Sequence, residues 1–450
     1  MGGIITKNCF SLLKDVKKIG FLGFGKSNKA LFSFLKERFV FSTVIRDERE
    51  EISDAPKDAL LLFGKRCFDY AGEDIIFLSP STRRERPCVL SLAKRGAILS
   101  SDAELFFSEA PKNVLAVTGS DGKSTTVAMS QGILAKSGKK CFACGNFGLP
   151  LTPLLENEDA FFIAELSSFM LRYLCPRTRR ALITNVTPNH LNWHKDFEEY
   201  VAAKEEILKN TDECVLPFDD QITKNMSKKH GTFALFSTEL GFDDLKQKGQ
   251  AELYYTTEGG VIFRNGVPLM SLSEIKIPGL HNVKNTLAAL ALTDGFADVA
   301  AARHAISAFG GLEHRCKLVA NRSGVSYYDS SIDSTPTRTA ATLELFSSPV
   351  TVILGGKDKG VGYEPLKPAL YKHAGAVILC GENAERLGEF LKDTGLSCPI
   401  FYADDYIEAV SIAANIGYDT VLSPAATSYD RFLNFEQRGL AFAHAVKELL

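Results

Sequence analysis

Residues 113–126 read Asn113-Val-Leu-Ala-Val-Thr-Gly-Ser-Asp-Gly-Lys-Ser-Thr-Thr126. The apolar run from Val114 to Val117 predicts a short buried strand. The two glycines that follow, Gly119 and Gly122, permit a tight turn whose backbone N–H groups can point at an anion. A helix is expected next, with its N-terminal dipole facing the same anion. The standard phosphate loop has glycine where this chain has Val117, but strand, turn, lysine and hydroxyl residues together predict a nucleotide-binding loop.

The composition is that of an ordinary globular protein. Of the 450 residues, 45% are hydrophobic and 24% are charged, and the length predicts two to four domains. The formal net charge of −2 gives no electrostatic basis for nucleic acid or an anionic membrane as the main partner. No apolar run approaches the ~20 residues of a membrane-spanning helix. The first six residues do not resemble a signal peptide, and the ten cysteines are scattered, so we expect a cytoplasmic protein.

One cysteine pair, Cys141-Phe-Ala-Cys144, has the spacing of half a zinc site. No second pair accompanies it, and it lies in an apolar run before Gly145. We therefore expect the thiols of a buried strand rather than a metal centre.

Strand-like and helix-like segments alternate along most of the chain, which predicts α/β domains with parallel sheets. We expect an N-terminal Rossmann-like domain at 1–110, a central domain at 111–312 with a phosphate loop on a parallel sheet, and a C-terminal Rossmann-like domain at 313–450. The central domain is expected to carry a small added β region, because residues 214–277 read as short β pieces. The N-terminal strand at 18–22 leads into a Gly-rich turn similar to a dinucleotide fingerprint, but Asn28 stands where the third glycine would be.

Four polar features of the central domain follow predicted strands: the Lys123 loop, Asn146, Glu165 and His190. The carboxyl ends of parallel strands meet at one edge of a sheet, so these groups are expected to share one crevice. A hydroxyl at Ser124 or Thr125, a carboxylate and an imidazole beside a phosphate loop suggest Mg²⁺ ligands near a triphosphate. Lys204 falls on a helix predicted at 196–210, where spacing alone indicates a solvent-facing side chain.

A series of motifs, in order along the chain, resembles those of the Mur ligases, the ATP-dependent enzymes that add amino acids to the peptidoglycan precursor. The resemblance extends from about Val114 to Gly439. The motifs are Thr118-Gly-Ser-Asp-Gly-Lys-Ser-Thr-Thr126, Glu165-Leu-Ser-Ser168, Asn185-Val-Thr-Pro-Asn-His190, Tyr200-Val-Ala-Ala-Lys204, Gly279-Leu-His-Asn-Val-Lys-Asn285, Glu313-His-Arg315 and Asp329-Ser330.

The resemblance implies ATP and two Mg²⁺ ions as cofactors, with roles for residues at the matching positions. The implied ATP-binding residues are Gly119, Ser120, Asp121, Gly122, Lys123, Ser124, Thr125, Asn282, Asn285, Arg315 and Asp329. The implied catalytic residues are Lys123, Lys204, His190 and Glu165. The implied metal ligands are Ser124, Glu165, His190 and Lys204, and the lysine is expected to be carbamylated. The implied substrate contacts are Asn146, Lys359, Ser428 and Phe435. His314, Tyr200 and Arg438 match further functional positions.

Three C-terminal segments resemble the D-glutamate-adding branch of the family: Asp329-Ser-Ser-Ile-Asp-Ser-Thr-Pro-Thr-Arg338, Leu422-Ser-Pro-Ala-Ala-Thr-Ser-Tyr-Asp430 and Asn434-Phe-Glu-Gln-Arg-Gly439. This branch joins D-glutamate to UDP-N-acetylmuramoyl-L-alanine through an acyl phosphate, with the UDP held by the first domain. We therefore expect these two small molecules as partners, and a monomer that binds neither nucleic acid nor membrane.

Three alternatives stay open at this point. One is another Mur ligase. A second is a folylpolyglutamate-type ligase, which shares the ATP loop but usually has Asp-Gly-Ala-His where this chain has Asp329-Ser-Ser-Ile. A third is a nucleotide-dependent binding module without ligase activity, from which phosphate release that requires both substrates would distinguish an enzyme.

Two positions depart from the family pattern. The turn Ser79-Pro-Ser-Thr-Arg83 has Ser81 where the family usually has glycine, which bears on how UDP is bound. Asp333 stands where many relatives have a small hydroxylated residue, which bears on how the amino acid is bound.

Overall fold

The structure, a computed structural model, describes residues 13–52, 54–277, 279–322, 324–358, 360 and 362–449. The expectations for the first six residues and for Lys359 lie outside the described residues. The chain forms two compact units. One comprises Met1–Ile275 and Leu280–Ala308, and the other comprises Lys276–Gly279 and Phe309–Leu450. Among the described residues, no helix is both long and apolar enough to cross a lipid bilayer.

The first sheet is parallel, with five strands in the order β3-β2-β1-β4-β5. Its strands β1 to β5 are Lys18–Leu22, Ser42–Asp47, Leu60–Phe63, Ile75–Leu78 and Ile98–Ser100. Its helices are Lys26–Lys36, Pro87–Lys94 and Asp102–Ser108. The Asn28 amide nitrogen donates to carbonyl oxygens of Leu22, Gly23 and Phe77 at 3.0–3.4 Å. The residue that departs from the dinucleotide fingerprint thus ties the turn to β1 and β4.

The second sheet contains nine strands in the order β14-β13-β12-β11-β10-β9-β6-β8-β7. Strands β6 to β14 are Val114–Thr118, Cys141–Gly145, Phe161–Glu165, Thr178–Ile183, Thr211–Pro217, Thr232–Ser237, Leu253–Glu258, Val261–Arg264 and Val267–Ser271. The helices are Lys123–Lys136, Ser168–Leu171, Phe197–Lys209, Gln221–Lys229, Phe242–Lys248, Leu280–Thr293 and Val299–Ala308. β6 lies between β8 and β9 and is buried along its whole length, as a central parallel strand with both faces covered should be.

The third sheet contains six strands in the order β15-β16-β20-β17-β18-β19. Strands β15 to β20 are Lys317–Arg322, Val325–Asp329, Val350–Leu354, Ala374–Leu379, Ile400–Tyr402 and Thr420–Leu422. The helices are Pro336–Leu343, Lys367–His373, Ala384–Thr394, Tyr406–Ile416 and Phe435–Glu448. All neighbours pair in parallel except β15, which runs antiparallel to β16.

The predicted α/β class is confirmed, while some elements differ from the sequence-based expectation. Each of the ranges 1–110, 111–312 and 313–450 holds one sheet, but the division into three domains stays a prediction. Residues 214–277 are not only short β pieces, because Gln221–Lys229 and Phe242–Lys248 are helices. The antiparallel strands β13 and β14 extend the central sheet itself. The cysteine pair lies on β7 as expected, with Cys144 buried and Cys141 half-buried.

Candidate active site

The phosphate loop connects β6 to the helix Lys123–Lys136, as the sequence predicts. Gly119 has φ 148° and Gly122 has φ 78°, in the region that favours glycine. A Cβ atom at Gly119 would overlap the hydroxyl of Thr184, and one at Gly122 would overlap the side-chain oxygen of Asn285. Both positions therefore require glycine for backbone conformation and for space.

Side chains that follow β9 hold the loop in place. The Thr184 hydroxyl donates to the carbonyl oxygen of Asp121 at 2.6 Å. The side chain of Asn185 accepts from the Asp121 N–H and donates to its carbonyl oxygen, both at 3.0 Å. The Ser120 hydroxyl lies 2.9 Å from that of Tyr200. These bonds order the loop before a ligand arrives, which lowers the entropy cost of binding.

The first residues of the helix present a cation and hydroxyls next to the loop. Lys123 Nζ donates to the carbonyl oxygen of Ser120 at 2.7 Å, so its ammonium group lies over the loop. Ser124 is buried, and Thr125 in the same turn is half-buried. The predicted phosphate-binding lysine is therefore placed at the loop by the fold.

Glu165 lies at the end of β8, next to β6, and only 1% of it is exposed. Its Oε2 accepts from the Ser124 hydroxyl at 2.7 Å, and its Oε1 accepts from the Asn146 amide, also at 2.7 Å. The structure thus brings three predicted residues together. Asn146, expected at the substrate, is bonded to the carboxylate expected at the metal.

Lys204 lies within the helix Phe197–Lys209, and only 2% of it is exposed. The solvent-facing interpretation drawn from spacing is therefore wrong. Its Nζ donates to the carbonyl oxygen of Gly119 at 2.6 Å and lies 4.5 Å from the centre of the Tyr200 ring. Burial lowers the pKa of Lys204 well below its usual value, and the nearby Lys123 ammonium lowers it further.

His190 lies on an exposed turn beside Phe169 and Tyr200, with ring centroids 4.9 and 6.5 Å away. Tyr200 connects this turn to the phosphate loop, because its hydroxyl contacts Ser120 and its ring contacts Lys204. The structure therefore places the histidine on the rim of the crevice and Glu165 within it.

The donor set suits a metal that arrives with a nucleotide. Within the described part of the chain, no group of three or more His, Cys, Asp or Glu side chains could hold a metal ion. The Ser124 hydroxyl and the Glu165 carboxylate are adjacent hard oxygen donors. Mg²⁺ prefers such oxygens and usually keeps several waters and phosphate oxygens as its other ligands. The residues present therefore fit Mg²⁺.

The motif at 279–285 begins the helix Leu280–Thr293 next to the phosphate loop. Asn285 is buried, and its amide donates to the side-chain oxygen of Asn282 at 3.2 Å. The Asn285 side chain also limits the space at Gly122. One predicted nucleotide-binding residue, Asn285, thus lies against the loop's backbone, and the other, Asn282, is bonded to it.

The second compact unit brings together further predicted residues. His314 has φ 62°, and its Nδ1 lies 2.7 Å from Asp329 Oδ2. This hydrogen bond raises the pKa of His314. Arg438 is buried and donates from Nε and Nη2 to the hydroxyl and carbonyl oxygens of Ser331 at 3.1 and 2.8 Å. Arg315 follows His314 and is exposed.

The predicted amino-acid contacts lie after β20 and at the start of the helix Phe435–Glu448. Ser428 is buried, with 3% exposed. The Phe435 ring lies 5.9 Å from that of His314, and its carbonyl oxygen accepts from the Ser331 hydroxyl at 2.8 Å. Lys359 lies outside the described residues, so its predicted role stays a prediction.

Asp333, one of the two departures from the family pattern, is buried within this unit. Its Oδ2 accepts from the hydroxyls of Thr342 and Ser423 at 2.7 and 2.8 Å. The carboxylate therefore joins the helix Pro336–Leu343 to the end of β20. A structural role explains this residue without a contact to an amino-acid substrate.

Sequence reasoning missed residues that support the site. Thr184 fixes the phosphate loop, and its position as the last residue of a predicted strand was the available signal. His194 is buried, with Nε2 2.9 Å from the Ser168 hydroxyl. Trp193 and Arg83 hold the turn that carries His190. No short motif marks His194, Trp193 or Arg83, because their partners are distant in sequence.

Comparison with known proteins yields a family and several full-length relatives. The Mur ligase middle domain matches residues 117–293. A protein of Clostridium kluyveri, named UDP-N-acetylmuramoylalanine–D-glutamate ligase, is 37% identical over 96% of this chain and 97% of its own length. A protein of the same name from Ruminiclostridium cellulolyticum is 36% identical, over 97% of this chain and 98% of its own.

Solved structures show the same fold. The UDP-N-acetylmuramate–alanine ligase of Thermotoga maritima aligns with a TM-score of 0.62 at 18% identity, covering 96% of this chain and 99% of that protein. A murein peptide ligase of Psychrobacter arcticus aligns with a TM-score of 0.52 at 16% identity and the same coverage. At these identities the likeness concerns the fold alone.

Proposed function

The chain belongs to the Mur ligase family, and we propose that it joins D-glutamate to UDP-N-acetylmuramoyl-L-alanine, with ATP as the source of energy. The observation that carries the chemistry is the group of Ser124, Glu165 and Lys204 around one phosphate loop. The choice of D-glutamate rests on the full-length relatives that bear this ligase's name.

The reaction follows from two transfers. The substrate carboxylate attacks the γ-phosphorus of ATP, which forms an acyl phosphate and releases ADP. The amine of D-glutamate then attacks the acyl carbon, and the tetrahedral intermediate collapses to an amide as phosphate leaves. The protein's part is mainly to position these groups and to stabilise the negative charge that develops on the phosphoryl oxygens.

Lys123 would move from the Ser120 carbonyl to the β- and γ-phosphates, where its charge stabilises the transition state. Backbone N–H groups of the loop at 119–125 and the dipole of the helix Lys123–Lys136 would hold the phosphates. Asn282 and Asn285 would bind the nucleoside, and the family pattern assigns contacts to ribose and phosphate to Arg315 and Asp329. Ser124, Glu165 and His190 would hold the Mg²⁺ ions. When bound, Mg²⁺ neutralises phosphate charge and orients the γ-phosphoryl group.

Lys204 is the residue whose environment supports a covalent change. A neutral amine can add to CO₂, with the C–N bond forming and one proton passing to water, to give a carbamate. Burial favours the neutral amine by lowering the pKa of Lys204. The carbamate would be an anion beside the loop, suited to the second Mg²⁺ site.

The remaining assignments complete the proposal. The turn 79–83 would bind the UDP moiety and Asn146 the muramoyl part, while Lys359, Ser428 and Phe435 would bind D-glutamate. The three ranges 1–110, 111–312 and 313–450 would act as UDP-binding, ATP-binding and amino-acid-binding domains. A cytoplasmic location suits an enzyme that consumes ATP and a UDP-linked precursor. The active form is proposed to be a monomer.

The test is phosphate release with ATP, Mg²⁺ and UDP-N-acetylmuramoyl-L-alanine against a panel of amino acids. D-glutamate should give the fastest phosphate release. Omission of either UDP-N-acetylmuramoyl-L-alanine or the amino acid should leave only background release. Equal or faster release with L-glutamate, L-alanine or L-lysine would contradict the assignment.

A further inference from the structure

His190 is held on a turn whose conformation is intrinsically unfavourable. Its φ is 54°, in the left-handed region that residues other than glycine rarely adopt. The turn closes through the N–H groups of Trp193 and His194, which donate to the His190 carbonyl oxygen at 2.9 and 3.0 Å. A strained conformation of this kind persists only where surrounding contacts impose it.

Trp193, in the same turn as His190, is held by contacts with the turn 79–83, which follows β4 of the first sheet. Its indole N–H donates to the carbonyl oxygen of Ser81 at 2.8 Å. Arg83 Nη1 donates to the Trp193 carbonyl oxygen at 2.6 Å, and its guanidinium lies 5.2 Å from the indole ring. The side chain and the backbone of Trp193 are therefore both attached to this turn.

The other side of Trp193 faces the residues that surround His190. The Phe169 ring lies 4.5 Å from the Trp193 ring and 4.9 Å from the His190 ring. His194 packs on Trp193 at 4.7 Å and on Tyr200 at 5.2 Å. Movement of the indole would thus displace the imidazole through packed rings and through two hydrogen bonds of the same turn.

We propose that Trp193 is a positioning residue that couples ligand binding at the turn 79–83 to metal–nucleotide binding at His190. This inference rests on the proposed function, which assigns the UDP moiety to that turn and Mg²⁺ to His190. A ligand that orders Ser81 and Arg83 also orders the His190 turn, so each ligand favours the other. Thermodynamic linkage requires the effect to be reciprocal.

Trp193→Phe is the informative variant, because it removes the indole N–H donor and keeps an aromatic ring against Phe169. Tyr173→Phe is a matched control. The Tyr173 hydroxyl accepts from the Arg84 N–H at 3.1 Å and donates to Glu85, so it anchors the same segment away from the His190 turn. Arg83→Gln removes the guanidinium group that donates to the Trp193 carbonyl oxygen, and it serves as an independent variant.

The experiment measures by calorimetry the affinity of the full-length protein for UDP-N-acetylmuramoyl-L-alanine, with and without Mg²⁺ and a non-hydrolysable ATP analogue. In the unmodified protein the second ligand should tighten binding by about fivefold or more, within the usual range of coupling. In Trp193→Phe and Arg83→Gln this factor should fall close to one. In Trp193→Phe the affinity for each ligand alone should change less than the factor, whereas Arg83→Gln also alters the turn proposed to bind UDP and should by itself weaken the binding of that ligand. Tyr173→Phe should retain the factor.

Trp193 is the single tryptophan of the sequence, so its fluorescence provides a second readout. Either ligand alone should change its emission. Coupling that is unchanged in Trp193→Phe, or equally lost in Tyr173→Phe, would overturn the role of Trp193 and leave the proposed function standing. If the unmodified protein does not bind the UDP-linked substrate, the proposed function is wrong and this inference falls with it.

Discussion

At the scale of single residues, the two lysines that contact the phosphate loop, Lys123 and Lys204, have opposite environments. Lys123 is half-buried, and its flexible ammonium can follow a phosphate. Lys204 is almost fully buried, and Lys123 nearby makes a second positive charge unfavourable. Asp121 and Glu165 oppose this effect but do not outweigh the desolvation. Lys123 is therefore suited to follow a phosphate, and Lys204 to react as a neutral amine.

We expect Lys204→Ala to lose activity by about a thousandfold or more, since it removes an anion that stabilises the reacting phosphates. Added acetate or propionate should partly restore activity by filling the vacated space with a carboxylate. Lys204→Arg should remain inactive with or without these acids, because a guanidinium keeps its charge and forms no carbamate. Steady-state phosphate release measures all three results.

Lys209→Ala is the control for this series, because Lys209 lies on the same helix, is half-exposed and forms an ion pair with Glu206 at 2.5 Å. It should retain full activity. An active Lys204→Arg enzyme would exclude the carbamate. Thermal unfolding of each variant separates loss of chemistry from loss of fold.

Residue identity was predictable from motifs, whereas residue environment was not. Ser124 and Glu165 were identified by the phosphate loop and by a strand end, and Lys204 only by its position in the family pattern. Spacing alone predicted an exposed side chain for Lys204. Tyr200 is near in sequence, but the carbonyl group of Gly119 that accepts from Lys204 comes from a distant segment. Asp333 shows the reverse case, since a position expected to affect substrate binding is bonded within the protein instead.

At the scale of elements, the apolar runs of buried parallel strands were the clearest signal. The strand after Asn113 and the strand at 18–22 lie where the sequence predicts them. The strands Ile98–Ser100 and Lys317–Arg322 were not predicted, because one is short and the other is an edge strand without a buried apolar run. The helices Gln221–Lys229 and Phe242–Lys248 are short and bury few side chains, so few apolar residues mark them in the sequence.

The glycines of the phosphate loop allow a test at this scale. Gly122→Ala should lower kcat/KM for ATP by about a hundredfold, because the new methyl group displaces Asn285 and shifts the loop. Gly138→Ala is the matched control. Gly138 also has a left-handed backbone, φ 72° against 78°, but a Cβ there meets nothing within 4 Å.

Both glycine variants should lose about 1 kcal/mol of stability from the left-handed backbone, measured by urea unfolding. Only Gly122→Ala should lose activity. Equal activity in the two variants would mean that the space at Gly122 does not matter to nucleotide binding.

At the scale of the whole molecule, each compact unit has its own interior and its own buried polar anchor. In the first unit, Arg46 and Glu73 have fully buried side chains that form an ion pair, with Arg46 Nε 2.7 Å from Glu73 Oε1. In the second unit, Asp333 accepts from the buried hydroxyls of Thr342 and Ser423. Removing the partner of a buried polar group lowers the free energy of unfolding by more than the interaction itself contributed.

We expect two unfolding transitions in scanning calorimetry, each assigned by its own variant. Glu73→Gln leaves the Arg46 charge without its buried counterion, which costs about 3–5 kcal/mol and should lower one transition by roughly 5–8 °C. Asp333→Ala removes the carboxylate that accepts from the buried hydroxyls of Thr342 and Ser423, which costs about 2–4 kcal/mol and should lower the other transition. The double variant should show both shifts, since the sites lie in separate units and share no partner.

Exposed ion pairs of each unit supply the controls: Arg177 with Asp212 in the first unit, and Lys372 with Glu344 at 2.6 Å in the second. Because all four side chains are about half exposed or more, Arg177→Ala and Lys372→Ala should change either transition by little. A single transition that both buried variants lower alike would show that the units unfold as one. If two transitions are present, UDP-N-acetylmuramoyl-L-alanine should raise the temperature of only the one that Glu73→Gln lowers, because a ligand stabilises the unit that binds it.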